Sequence, residues 1–179
     1  MTQRKRVVPD LLLEKFLGLF SSTVYMTFSP DEVKGWDIHW DTPFTCAPLT
    51  AIKKGRVVAA GAEAERQSQD QPDPAIEFVN PFNHPRVIIS DVDAAFALFR
   101  HVLVKAINRK TLIRPRVIVH PLQAESIAGG LTQVELRVLR EASLSAGARE
   151  IFIWTGPELT REQIKTLSFP PEGKVLRRY

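Results

Sequence analysis

The chain has 179 residues, 44% of them hydrophobic and 25% charged, with a formal net charge of +4. That is enough for one well-buried domain and short for two, and the composition is that of an ordinary globular protein. The single Cys46 excludes an internal disulfide framework and fits a reducing compartment. Phe44-Thr45-Cys46-Ala47-Pro48 places no base beside it in sequence, so it reads as an inert thiol. No apolar run reaches the ~20 residues that span a bilayer.

The N-terminus opens with Arg4, Lys5 and Arg6, and the C-terminus closes with Lys174, Arg177 and Arg178. Basic ends suit an acidic surface, either lipid headgroups or nucleic acid, and equally suit solvated tails. Asp10 caps a helix expected over Leu11–Phe20, whose face of Leu12, Leu13, Phe16, Leu17 and Phe20 recurs at helical spacing. Two readings stay open for it: contact with a membrane interface through Arg4, Lys5, Arg6, Leu13, Phe16, Leu17 and Phe20, or docking on its own domain. Pro9, Asp10, Glu14 and Lys15 interrupt the apolar stretch, so a cleaved signal is not expected.

Strands are expected at Thr23–Phe28, Lys34–Trp40, Pro48–Ile52 and Arg56–Ala60. Turns are read at Ser29-Pro30-Asp31 and Asp41-Thr42-Pro43, giving an antiparallel meander. Ala62–Gln67 reads as a short helix and Ser68–Pro74 as a polar loop within one domain. Ile76–Val79 and Arg86–Ile89 read as further strands. Ser90 and Asp93 match a capping box for a helix running to about Arg109, with a wide apolar face including Phe96, Phe99 and Leu103. Arg116–His120 is a β-branched strand. Thr132-Gln133-Val134-Glu135 is a second capping box, Gly147 sits where a helix-stopping glycine belongs, and Glu150–Trp154 is the next strand. Thr160–Leu167 is a short final helix, and Pro170-Pro171 is expected to end regular structure. The alternation in the second half predicts parallel strands joined by helical crossovers, hence a mixed α/β sheet.

At Pro115–Gly156 the chain resembles the bacterial actin homologue MreB family. Arg116–Pro121 matches that family's strand ending in V-P. Thr132–Glu135 with Arg137, Val138, Arg140, Glu141 and Ala142 matches its T-x-V-E-R-R-A helix, and Ala146–Phe152 its A-G-A-R-E turn and strand. Val87–Asp93 is similar to its V-I-A-D-F-D junction, and Lys15–Ser21 to its K-F-R-G-M-F-S segment. The likeness covers about Lys15 to Pro157. It implies an actin-like, ribonuclease H-like first lobe at residues 23–168, between a basic tail with amphipathic helix at 1–22 and a basic tail at 169–179.

The departures bear on activity. The family's D-L-G-T phosphate loop falls on Thr27-Phe28-Ser29-Pro30, without its Asp or Gly, and Pro30 lacks a backbone N–H. Its E-E-P-M motif falls on Trp154–Glu158 without the paired acids. Its second phosphate loop and second lobe have no counterpart expected in the chain. Glu135 matches the family glutamate that positions the hydrolytic water, but capping accounts for it without a nucleotide. Asp91 and Asp93 are candidate metal ligands that capping explains equally well. His39, His84, His101 and His120 show no zinc spacing. Trp36, Trp40 and Trp154 read as core and not as a base-stacking platform. No metal and no cofactor are assigned.

The resemblance thus implies a non-catalytic actin-like interaction or regulatory module linked to cell shape. It would be cytoplasmic, with peripheral contact at the inner membrane face, and its partner would be an actin-like filament protein or a second copy. A nucleotide-binding ATPase-like protein with an incomplete or oligomer-completed site is the alternative. Nucleic-acid binding through the basic ends is a third reading and is not favoured.

Overall fold

A computed structural model describes residues 21–70, 73–107, 113–124, 126–127 and 129–179. The helix expected over Leu11–Phe20 and the membrane-contact candidates Arg4, Lys5, Arg6, Leu13, Phe16, Leu17 and Phe20 lie outside the described residues.

Three strands open the fold as a meander: β1 (Ser21–Phe28), β2 (Val33–Asp37) and β3 (Thr42–Cys46), with Tyr25 opposite Trp36 and Trp36 opposite Pro43. Thr42 and Pro43, expected in a turn, instead open β3. The turn is tighter and ends at Asp41, which sits at a left-handed φ of 53°. β3 tolerates Pro43 because it is the sheet's edge strand, where one side of the backbone has no ladder.

The chain then builds a separate small antiparallel sheet in the order β5-β4-β6 from β4 (Thr50–Lys53), β5 (Arg56–Ala60) and β6 (Ile76–Val79). Lys54 and Gly55 close the β4–β5 hairpin with φ values of 52° and 71°. Positive φ at both central residues is the two-residue geometry that matches strand twist. Helix α1 (Ala62–Gln69) covers one face through Ala64, which packs on Ala51 and Ala59. It runs two residues into the segment read as loop.

Helix α2 (Val92–Ala106), β7 (Ile113–Pro121), α3 (Gln133–Ser145), β8 (Glu150–Thr155), α4 (Arg161–Thr166) and β9 (Lys174–Arg178) complete the main sheet, in the order β3-β2-β1-β7-β8-β9. β7 runs parallel to β1 and to β8, with Val117 beside both Val24 and Ile151. The period-2 alternation decides the layers. Val24, Met26, Phe28, Val117, Val119, Ile151 and Ile153 face a core shared with Phe99, Leu103, Leu136 and Leu139 of α2 and α3. Tyr25, Ile118, Phe152 and Trp154 face the other way, toward Leu159 and Ile164 at α4. Strands buried on both faces must read as near-continuous apolar runs, and β7 and β8 do.

Four more expectations are corrected. Arg86–Ile89 is not a strand: it bends through irregular structure, and the Ile88 N–H goes to a side-chain carboxylate and not to a ladder. The α2 cap is Asp91, whose carboxylate accepts from Ala94 N–H at 2.8 Å, while Ser90 bonds the Pro81 carbonyl. The helix ends at Ala106, earlier than expected, because Ile107 is extended. Finally, Pro170-Pro171 does not end regular structure. The segment 169–179, read as a basic tail, carries β9, whose Val175 and Leu176 pack against opposite faces of the sheet beside β8.

Gly35 of β2 shows how closely α2 lies on the sheet. A Cβ there would stand 2.5 Å from Val102 Cγ1 and 3.3 Å from Ala106 Cβ. The absence of a side chain sets the helix–sheet distance.

Candidate functional site

Parallel strands present their carboxyl ends, and the loops that follow them, on one side of a sheet, and ligands of open α/β folds bind there. In this chain that side carries the turn after β1, the loop after β7 leading to α3, and the loop after β8.

The β1–β2 turn is closed upon itself. Ser29 N–H donates to the Glu32 carbonyl at 2.9 Å, while the N–H groups of Asp31 and Glu32 donate to Ser29 Oγ at 3.2 and 3.3 Å. Pro30 has no N–H, and its carbonyl accepts from Asn80 Nδ2 at 2.8 Å. A backbone that cradles phosphate must present unused N–H groups. Here each is already engaged within the turn. Glu32 adds negative charge, paired with Lys34 at 2.5 Å, and that carboxylate holds the ammonium pKa above its usual value.

Glu135 is buried at the N-terminus of α3. One carboxylate oxygen accepts from Ile88 N–H at 2.6 Å; the other accepts from Thr132 N–H and Thr132 Oγ1, both at 2.8 Å. The Thr132 hydroxyl in turn accepts from Glu135 N–H at 3.2 Å, completing the capping box. The carboxylate therefore does more than cap: it ties α3 to the irregular segment before α2, 47 residues away in sequence. The far end of α3 is closed by Gly147 at φ 108°. Gly147 N–H donates to Leu144 O and Ala148 N–H to Ser143 O, the paired bonds of a Schellman stop.

Asp91 and Asp93 are not brought together as ligands. Asp91 caps α2, and Asp93 lies exposed in its first turn. Among the described residues no group of three or more His, Cys, Asp or Glu side chains is placed to hold a metal. The histidines are dispersed. Of the tryptophans, Trp154 is fully buried and Trp36 partly so, but Trp40, expected in the core, is 42% exposed in the β2–β3 turn. Cys46 is buried, and burial pushes its thiol up to about 11, with Glu65 adding to the effect. A thiol so shifted is protonated at neutral pH and a poor nucleophile.

One polar cluster was not legible in the sequence. Tyr25 Oη donates to His120 Nδ1 at 2.5 Å and accepts from Leu159 N–H at 3.3 Å. The His120 ring also bonds the Gly156 backbone, with Nδ1 accepting in the neutral tautomer. Burial pushes His120 down to about 4, partly offset by that backbone bond, and pushes the Tyr25 phenol up. The pair ties β1 and β7 to the loop after β8. It is a neutral, satisfied network, not an acid–base pair poised near neutrality. Its partners lie 95 residues apart, and the one sequence signal is a polar residue directly after the apolar run Val117-Ile118-Val119.

The β1–β2–β3 meander, the inserted small sheet and the parallel β7 and β8 make this an actin-like lobe. Two solved structures share the fold. An MreB of Spiroplasma citri bound to ADP matches with a TM-score of 0.57 at 18% identity, covering 75% of this chain and 38% of that one. A non-polymerising mutant of MamK bound to AMPPNP matches with a TM-score of 0.56 at 12% identity, covering 74% and 40%. In sequence, the MreB/Mbl protein family model matches residues 33–160. The chain belongs to the MreB/Mbl family. It is 28% identical over 158 residues to the cell shape-determining protein MreB of Escherichia coli strain K12, and equally to that of Salmonella typhimurium. It spans 42% of the length of these curated relatives, and 82% of its own residues take part. Among the described residues no helix is long and apolar enough to cross a membrane.

Proposed function

We propose that this chain is a non-catalytic, MreB-related interaction module that binds actin-like filament subunits, or a second copy of itself, and acts in cell shape. The observation that carries the proposal is the β1–β2 turn. Where the family's first phosphate loop falls, the N–H groups of Ser29, Asp31 and Glu32 are satisfied internally. The engagement of Glu135 supports the same reading. Its carboxylate already accepts three hydrogen bonds, all from groups that hold α3 and the segment before α2 in place. Phosphoryl transfer depends on charge neutralisation and positioning by such loops. Without them, the property left to an actin-like lobe is its surface.

We place the module at the cytoplasmic membrane face, on the strength of the sequence Arg4-Lys5-Arg6 followed by the apolar positions Leu13, Phe16, Leu17 and Phe20. Co-pelleting with filaments of a full-length MreB relative tests the interaction. The expected result is that the chain enters the pellet in proportion to polymer, or changes the amount of polymer. A chain that stays in the supernatant, with polymer unchanged, overturns the proposal.

A further inference from the structure

We propose that the groove between β5 and α2 binds an extended, acidic segment of a partner polypeptide, which adds as a strand to the free edge of β5. This deepens the interaction reading above and rests on it.

Among the described residues β5 is an edge strand of the small sheet, paired with β4 alone. On its other side lies a cavity of about 530 Å³ lined by Val57, Val58, Ala59 and Ala60 and, across from them, by residues of α2. Val57, Val58, Ala59 and Ala60 all border this groove, where a skipped register interrupts the regular alternation of side chains between faces. The unpaired N–H and C=O groups of an edge are a template for another strand. The register skips Val58, because Ala59 pairs with Ala51 and Val57 with Ile52, so Val58 faces no residue of β4.

The walls and charges indicate what fits. Val58 is 53% exposed on the strand and Val104 54% exposed on the helix, so both walls of the groove offer apolar surface. From Asp93 to Lys105 the helix side spans roughly 18 Å at ~1.5 Å per residue, the length of about five extended residues. Arg100 and Lys105 are exposed, and neither pairs with a carboxylate among the described residues. Asp93 is the one acid on the lining. At the groove's floor, His101 Nε2 is buried without a hydrogen-bond partner, and burial together with Lys105 keeps its pKa below the usual value. The imidazole is neutral at physiological pH, so the cationic rim is Arg100 and Lys105, and the complement is an apolar strand carrying carboxylates.

The probe is an end-blocked, fluorescein-labelled peptide of about six residues alternating valine and glutamate, titrated into the full chain by anisotropy and by amide NMR. Saturable binding is expected, with shifts concentrated at Val57–Ala60 and on the α2 face. The same peptide with lysine for glutamate should bind about tenfold more weakly or worse. Val58→Pro, which puts a residue without an N–H into the strand that the peptide would pair with, should weaken binding about tenfold. The double variant Arg100→Glu with Lys105→Glu changes only exposed helix positions, so it keeps the test decisive where the proline variant does not fold, and it should abolish preference for the acidic peptide. No saturable binding, equal affinity for both peptides, or indifference to the double variant overturns the inference. So does a concentration-dependent dimer of this chain that the double variant dissolves, because the occupant is then a second copy. Loss of peptide binding with filament co-pelleting intact rejects the groove alone; loss of co-pelleting with peptide binding intact rejects the functional reading alone.

Discussion

Replacing Glu135 by alanine should destabilise the fold by about 3 kcal/mol. The figure comes from the donors it leaves behind. Ile88 is fully buried and its N–H loses its acceptor; a buried donor without a partner costs about 1–3 kcal/mol. Thr132 N–H and its hydroxyl lose theirs at an exposed helix start, where water partly substitutes and the loss of the reciprocal cap is worth about 1 kcal/mol. For a chain of this length, about 3 kcal/mol lowers Tm by roughly 6–12 °C. Urea unfolding followed by circular dichroism measures it directly, with the m-value unchanged if the folded and unfolded states keep their surface. Glu135→Gln retains one acceptor oxygen but turns an amide N–H₂ toward the remaining donors, so its loss should be intermediate, about 1–2 kcal/mol. If Glu135→Ala folds with stability within about 0.5 kcal/mol of the parent, the carboxylate is not a structural tie and the argument fails.

Three further outcomes can be measured. His120 has a folded pKa of about 4 against an ordinary value of 6.5. The unfolded chain therefore binds a proton first, and stability present above pH 6.5 should be lost as pH falls toward 4, by up to about 3 kcal/mol from this group. In denaturant titrations across that window, His120→Gln should flatten the difference; parallel curves for both proteins would contradict it. Gly35→Ala places a methyl 2.5 Å from Val102 Cγ1 and should cost about 1–3 kcal/mol by calorimetry, while wild-type stability would show that α2 can move away. Sedimentation with anionic vesicles should fall when Phe16 and Phe20 are both changed to Glu, and unchanged sedimentation would dispose of the membrane contact.

The parts of the fold legible in the sequence are those fixed by local chemistry. Thr132, Glu135 and Gly147 are the start and stop of α3 in both readings, because a cap and a left-handed glycine need no distant partner. The apolar runs of β7 and β8 announce strands covered on two faces. What escaped depends on neighbours. Pro43 looks like a turn until β3 is known to be an edge. Arg86–Ile89 has β-branched residues, but the Ile88 N–H is claimed by a side chain 47 positions on. Lys174–Arg178 hides Val175 and Leu176 inside a basic composition, and pairing with β8 makes it a strand. The same holds for the site. Capping by Glu135 was readable from four residues; its tie to Ile88, and the bond from Tyr25 to His120, arise from the assembled sheet.

We propose that the end of β1 and the start of α3 serve as structure and do not hold a nucleotide. Titration of the full chain with Mg-ATP, watching backbone amide shifts, tests it most directly. The account predicts no saturable shifts at Ser29, Asp31, Glu32 or Glu135. Saturable shifts concentrated at those four amides would contradict it.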